Sequence, residues 1–236
     1  MMKFFWLIAV GIVACNIGSG QTSVAKTKTA TKPASTKPAA AKQPAAASVD
    51  KGSVTGRTYT NRSLGFELTF PDTWVIPGED FEAEMKKAGY DLSLRPPIGI
   101  TAADRAKMTR DLKNVTIAMT AYRSMPGSAD NAIVRISLES LAANPQVKDA
   151  VDYFDAMRNL YKTMALPKDF KYSETQAEQL GRRQFAFLDS SSNAGKKRLY
   201  ATVRKGYAVL FSLSYTRDED VQTLRQILSK ANFALK

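Results

Sequence analysis

Apolar and polar residues alternate in some stretches of the chain and recur with helical spacing in others. Phe66, Leu68 and Phe70 alternate with Glu67 and Thr69, the period of a half-buried strand, and Tyr59 to Phe70 as a whole reads as strand, turn, strand. Pro71-Asp72 ends that run, and Trp74 and Ile76 follow as a short apolar pair. A helix is predicted from Glu79 to Ala88, with Phe81, Met85 and Ala88 on one face. A second is predicted from Thr101 to Leu112, where Thr101 stands three residues before Asp104, a capping-box spacing. Val115 to Met119 and Ile133 to Leu138 read as strands. The clearest helical pattern is Val147, Ala150, Val151, Phe154, Met157, Tyr161 and Met164, with Asn144 as its expected cap and Pro145 at its first position.

Four strands are then predicted as a meander: Tyr172 to Leu180, Arg183 to Asp189, Arg198 to Arg204 and Tyr207 to Tyr215. Asn193-Ala194-Gly195 and Lys205-Gly206 are the turns, the latter a two-residue hairpin signal. Tyr207, Val209, Phe211, Leu213 and Tyr215 line one face of the last strand. Thr216-Arg217-Asp218-Glu219 reads as a capping box for a closing helix with Val221, Leu224, Ile227 and Leu228 as its stripe. Acids at its start and Lys230 near its end suit the helix dipole. This order predicts an α+β domain, a mainly antiparallel sheet with helices packed on it, over residues 57–236.

The first 56 residues follow another logic. Lys3 precedes an apolar run, Phe4 to Ala14, that is too short to span a bilayer, so residues 1–20 read as an export signal. Two cleavage modes are open. Ile12-Val13-Ala14-Cys15 resembles a lipobox in which Cys15 receives lipid, and Gly18-Ser19-Gly20 suits an ordinary signal peptidase. Cys15 is also readable as a plain small residue of the apolar run. Residues 21–56 are rich in Ala, Lys, Thr and Pro with hardly a large apolar side chain, so no core offsets their ordering entropy. A disordered spacer is expected there.

Charge sharpens that division. Residues 1–52 hold seven lysines against one aspartate, which is half of the net +12 of the chain. Contact of this basic tail with a membrane or an anionic cell-wall polymer is therefore expected. Nucleic acid is not, because residues 21–52 have neither aromatics nor arginine. The chain has no histidine, which removes the usual general base and the commonest metal ligand. A single cysteine excludes an intrachain disulfide and a zinc–thiolate cluster. No cofactor and no metal is expected.

Tyr59-Thr60-Asn61, then Leu64-Gly65-Phe66, then Phe70-Pro71-Asp72-Thr73-Trp74 resembles the opening of the PsbP, Mog1 and DcrB-like superfamily. Gly206-Tyr207, the Asp218 to Leu228 helix and Phe233 are similar to that family's closing elements. The resemblance implies an α/β/α sandwich around an antiparallel sheet, and a docking or assembly role rather than catalysis. Metal sites of some plant members have no matching histidine here.

Few side chains invite a chemical role. Trp74 is readable as a partner anchor or, more plainly, as core. Asp189-Ser190-Ser191-Ser192 with Lys196 would be a poor nucleophile set, and a polar hairpin loop accounts for it. Asp218-Glu219-Asp220 suits a helix start better than a cation site. Tyr90 to Gly99 is an apolar loop with two prolines, and Leu92, Leu94, Ile98 and Ile100 are its expected binding residues. The expected function is that of an exported envelope protein, periplasmic or lipid-anchored. It docks on an unidentified envelope protein without catalysis, or holds a ligand in a pocket between sheet and helix.

Overall fold

The computed structural model describes residues 49–78, 80–90, 92, 100–126, 128–193 and 195–235. The expectations for residues 1–20, for residues 21–48 and for Cys15 fall outside them. A small antiparallel sheet opens the fold: β1 (Ser53–Thr55), β2 (Thr58–Asn61) and β3 (Phe66–Thr69), in that order. Ordered backbone thus begins before residue 57. Asp50 accepts from Ser63 and Gly52, and its carbonyl accepts from the buried Asn61 amide at 2.8 Å. The short helices α1 (Phe81–Lys87) and α2 (Ala102–Asp111) come next, and Thr101 caps α2 by accepting from the Asp104 N–H as the spacing predicted. In α1 Met85 is buried, whereas Ala88 has left the helix and is exposed.

The main sheet is built from β4 (Val115–Tyr122), β5 (Ile133–Ser140), β6 (Lys171–Tyr172), β7 (Gln176–Leu180), β8 (Arg183–Ser192), β9 (Gly195–Arg204) and β10 (Tyr207–Tyr215). Its order is β4-β5-β10-β9-β8-β6, with β7 also on β8, and every pairing is antiparallel. Helix α3 (Ala150–Thr163) covers one face and helix α4 (Asp218–Lys230) the other. The architecture is therefore α+β, an α/β/α sandwich with the small sheet packed beside α4. No helix among the described residues is long and apolar enough to cross a membrane.

Both faces of the sheet are buried, which the single apolar stripe expected for β10 did not anticipate. Val209, Phe211 and Leu213 face the α4 layer with Tyr59, Phe66 and Leu68, and Phe66 meets Phe211 edge-on at 6.1 Å. Ala208 and Leu210 face α3, together with Ala186 and Ala201. Small residues there let Tyr153, Phe154, Met157 and Tyr161 of α3 pack close to the strands.

Four local expectations are corrected. Asn144 does not cap α3: the cap is Asp149, whose carboxylate accepts from Val151 and Asp152 N–H at 2.8 and 2.9 Å. Asn144 starts a preceding turn instead, and Val151 is exposed. The strand expected from Tyr172 to Leu180 is broken, because residues 173–175 stand opposite only Leu188 and Asp189. Ser173 there accepts from the Asp189 N–H through its hydroxyl, in place of a ladder bond. Residues 189–192 belong to β8 rather than to a loop. Finally, α4 has no side-chain cap: it starts at Asp218, so Arg217 holds the cap position, and the Thr216 hydroxyl one residue earlier donates to Asp130.

Candidate functional site

Strand β5 alternates two kinds of residue. Val134, Ile136 and Leu138 enter the α4 layer, while Arg135, Ser137 and Glu139 point the other way and are all nearly inaccessible. Buried charge needs partners. Glu139 accepts from the Tyr153 hydroxyl of α3 at 2.7 Å. Burial, with the Glu139 carboxylate beside it, pushes the Tyr153 phenol well above its ordinary pKa. Arg135 donates to the Leu92 carbonyl at 2.5 Å. Among the described residues, Arg135 Nε and the Ser137 hydroxyl have no hydrogen-bond partner.

This polar stripe touches one end of the expected binding segment. Leu92 is held by its carbonyl on Arg135, and Ile100 is buried in the α3 layer with Met108. Ile100 is thus a core residue rather than a contact residue. Leu94 and Ile98 lie outside the described residues. Both ends of the segment are nonetheless tied to the layers of the domain.

A cavity of about 310 Å³ lies between α3 and the sheet. Pairing of β8 with β9 begins only at Ala186–Ala201, so the two strands part before that point. Arg183 spans the gap, donating to Thr202 Oγ1 at 2.9 Å and to the Val203 carbonyl at 3.0 Å. Lys148 and Val151 at the head of α3, with Ala177, Arg182 and Arg183, line the space. Burial lowers the Arg183 pKa. Three cations against one carboxylate, Asp149, with small apolar walls, suit an anionic or amphiphilic group. Periodicity gave no sign of this cavity, since the gap comes from where two strands stop pairing.

The remaining candidates resolve into structure. Trp74 is buried against Phe70, their rings 6.1 Å apart. Asp189 is held by Arg198 through two hydrogen bonds, the shorter 2.5 Å. Lys196 lies opposite Ser191 in the ladder, yet its ammonium goes to Asp218 at 3.2 Å. Asp220 turns inward to Arg123 at 2.7 Å, so the acids that open α4 diverge. Among the described residues no group of three or more acidic, histidine or cysteine side chains converges as a metal site would require.

The domain is similar to two solved structures. One is the solution structure of cyanobacterial PsbP (CyanoP) from Synechocystis sp. PCC 6803. It has 15% identity over 77% of this chain and 98% of that one, with a TM-score of 0.39. The other is LpqN, described as involved in cell envelope biogenesis of Mycobacterium tuberculosis. It has 14% identity over 71% of this chain and 82% of that one, with a TM-score of 0.38. No protein-family model matches the sequence, and no curated protein does either.

Proposed function

We propose that this chain is an exported envelope protein whose domain docks on a protein partner without catalysis, through the segment from Leu92 to Ile100. The observation that carries the reading is the anchoring of that segment. Leu92 is bonded to a buried arginine of β5, and Ile100 is sunk in the α3 layer. A segment held at both ends and containing Pro96 and Pro97 loses less freedom on binding than a free loop. The acids and lysine weighed for chemistry are engaged elsewhere, in pairs that join one element to another. Photo-crosslinkers at Leu94 and Ile98 in cells test this reading. They are expected to capture one dominant protein. Leu94→Ser with Ile98→Ser is expected to lower capture at least tenfold with the melting temperature unchanged, a loss typical of two interface anchors. Equal capture from a crosslinker at Val151, an exposed residue at the head of α3, sinks the proposal.

The cavity favours a second reading, a ligand held between sheet and helix. Native mass spectrometry of protein from the envelope fraction is the check. A retained anionic molecule that is lost on Ala177→Phe, which fills the cavity, supports this second reading over the first.

A further inference from the structure

Three turns and the C-terminal segment meet at one end of the domain. The Lys205 ammonium of the β9–β10 turn donates to the Ser63 carbonyl of the β2–β3 turn at 2.6 Å. Arg204 donates to the Leu64 carbonyl at 2.6 Å and to the Phe233 carbonyl at 2.9 Å. Gly181 of the β7–β8 turn lies against the Ser229 carbonyl at the end of α4. The β5 end joins them, with the Leu141 N–H donating to the Gly206 carbonyl at 2.8 Å.

This end is strongly basic. Arg62, Lys148, Arg182 and Lys205 are exposed on it, and Arg183 and Arg204 are half-buried. Among the described residues none of the six forms an ion pair. Arg183 and Arg204 instead share one aromatic ring, each guanidinium 5.6 Å from the Phe233 centroid. Burial lowers the Arg204 pKa, and the neighbouring Arg183 charge lowers it further. Two like charges are thus held near each other by carbonyls and a ring. Two carboxylates, Asp50 and Asp149, lie nearby and keep their charge, but they turn to neutral donors, Ser63 and Gly52 in one case and the N–H groups that open α3 in the other, so six cations stand against two acids. The opposite end is more balanced: Arg123, Lys196, Arg198 and Arg217 there face carboxylates, beside the exposed Lys162, Lys168 and Lys171.

The chain also enters the domain at the basic end. Asp50 and Lys51 sit against Ser63 and Tyr59, and the residues before them include Lys26, Lys28, Lys32, Lys37 and Lys42 with no acid. The tail therefore joins the domain at the end that carries these charges. We infer that this end of the domain lies on an anionic phospholipid surface, with the arginines and lysines of the three turns against the headgroups. Such charges each contribute on the order of 1 kcal/mol near an anionic bilayer, so a one-sided set of six orients the whole domain. The inference goes beyond partner docking and is independent of the Leu92 to Ile100 segment.

The test uses the full chain with Cys15→Ala and one new cysteine carrying a fluorophore. Ala143→Cys places the probe at the basic end, and Ala129→Cys places it at the opposite end. Vesicles carry a headgroup-bound quencher. On phosphatidylglycerol vesicles the Ala143 probe is expected to be quenched roughly fivefold more than the Ala129 probe, a bias that even one surface charge supplies. The bias is expected to vanish on phosphatidylcholine and to fall at least by half in the variant Arg62→Gln, Arg182→Gln, Lys205→Gln, which removes three of the six charges and whose fold is checked by melting. Equal quenching of both probes on phosphatidylglycerol overturns the inference and leaves the tail as the only contact. An undiminished bias in the triple variant also overturns it. Loss of the bias on adding inorganic phosphate, at constant ionic strength, points to a phosphate pocket and overturns the bilayer assignment.

Discussion

Tyr59 lies fully inside the core, yet its hydroxyl finds partners. It donates to the Lys51 carbonyl at 2.7 Å and accepts from Asn61 at 3.3 Å. Burial pushes its pKa up to about 12. The folded state then holds the phenol's proton more tightly than the unfolded chain does. Stability from this group is complete below about pH 10 and is lost as pH rises to about 12. Urea midpoints measured at about pH 9 and about pH 11 are expected to fall more in the wild type than in Tyr59→Phe, which lacks the titrating group. Two glycines give a sharper contrast. Gly206 has φ 79° with open space around it, and Gly181 has φ 59° with the Ser229 carbonyl against it. Gly206→Ala is expected to cost about 1 kcal/mol, the left-handed backbone term alone. Gly181→Ala adds a backbone clash and is expected to cost at least about twice that, read as the larger drop in melting temperature. A turn glycine was legible in the sequence at both places. That α4 ends on only one of them was not.

At the scale of elements, the caps separate local reading from structure. Thr101 caps α2 because a hydroxyl at the right spacing needs nothing from elsewhere. Thr216 stands one residue too early: α4 starts at Asp218, so Arg217 holds the cap position and the Thr216 hydroxyl donates to Asp130 on the β4–β5 loop. The same Asp130 accepts from Arg123 at 2.9 Å and is paired with Arg217. The residue at the cap position of α4 is thus tied into a long-range network. Asp149→Ala is expected to cost about 1 kcal/mol as a true cap, while Asn144→Ala leaves the start of α3 intact by circular dichroism. Asp220 is the costlier residue of α4. It is buried and paired with Arg123. Asp220→Ala leaves that guanidinium without its main partner, and a loss of about 3–5 kcal/mol in chemical denaturation is expected.

At the scale of the whole molecule, the N-terminal boundary decides what can be removed. Residues 49–55 supply Val49 to the core, β1 to the small sheet, and the carbonyls of Asp50 and Lys51 to Asn61 and Tyr59. A chain starting at Val49 is expected to melt where the full chain does, because residues 21–48 offer almost no large apolar side chain. A chain starting at Gly56 leaves Asn61 and Tyr59 buried without those partners, at about 1–3 kcal/mol for each unpaired group. A melting temperature lower by many degrees is expected for it. Equal melting of the two would show that β1 contributes nothing.

Period and punctuation in the sequence were enough for most elements. Alternation placed β3 and β10, the 3.6-residue recurrence placed α3 and α4, and Lys205-Gly206 placed a tight hairpin with φ values of 46° and 79°. These features are legible because each is governed by residues a few positions apart. Strand order, the burial of both faces of β10 and the polar stripe on β5 were set by contacts between distant residues. So was the meeting of three turns in a basic end. Arg183 and Arg204 are unremarkable in the chain; they share the Phe233 ring, and Arg204 reaches the Leu64 carbonyl in the turn that holds Arg62, only because segments distant in sequence have packed there. The sequence by itself determined which segments fold and which of their faces are apolar, because local backbone geometry and solvation act residue by residue. The tertiary structure alone decided which charges remain unpaired and where they gather, because a charge finds or misses its partner only once the layers have packed.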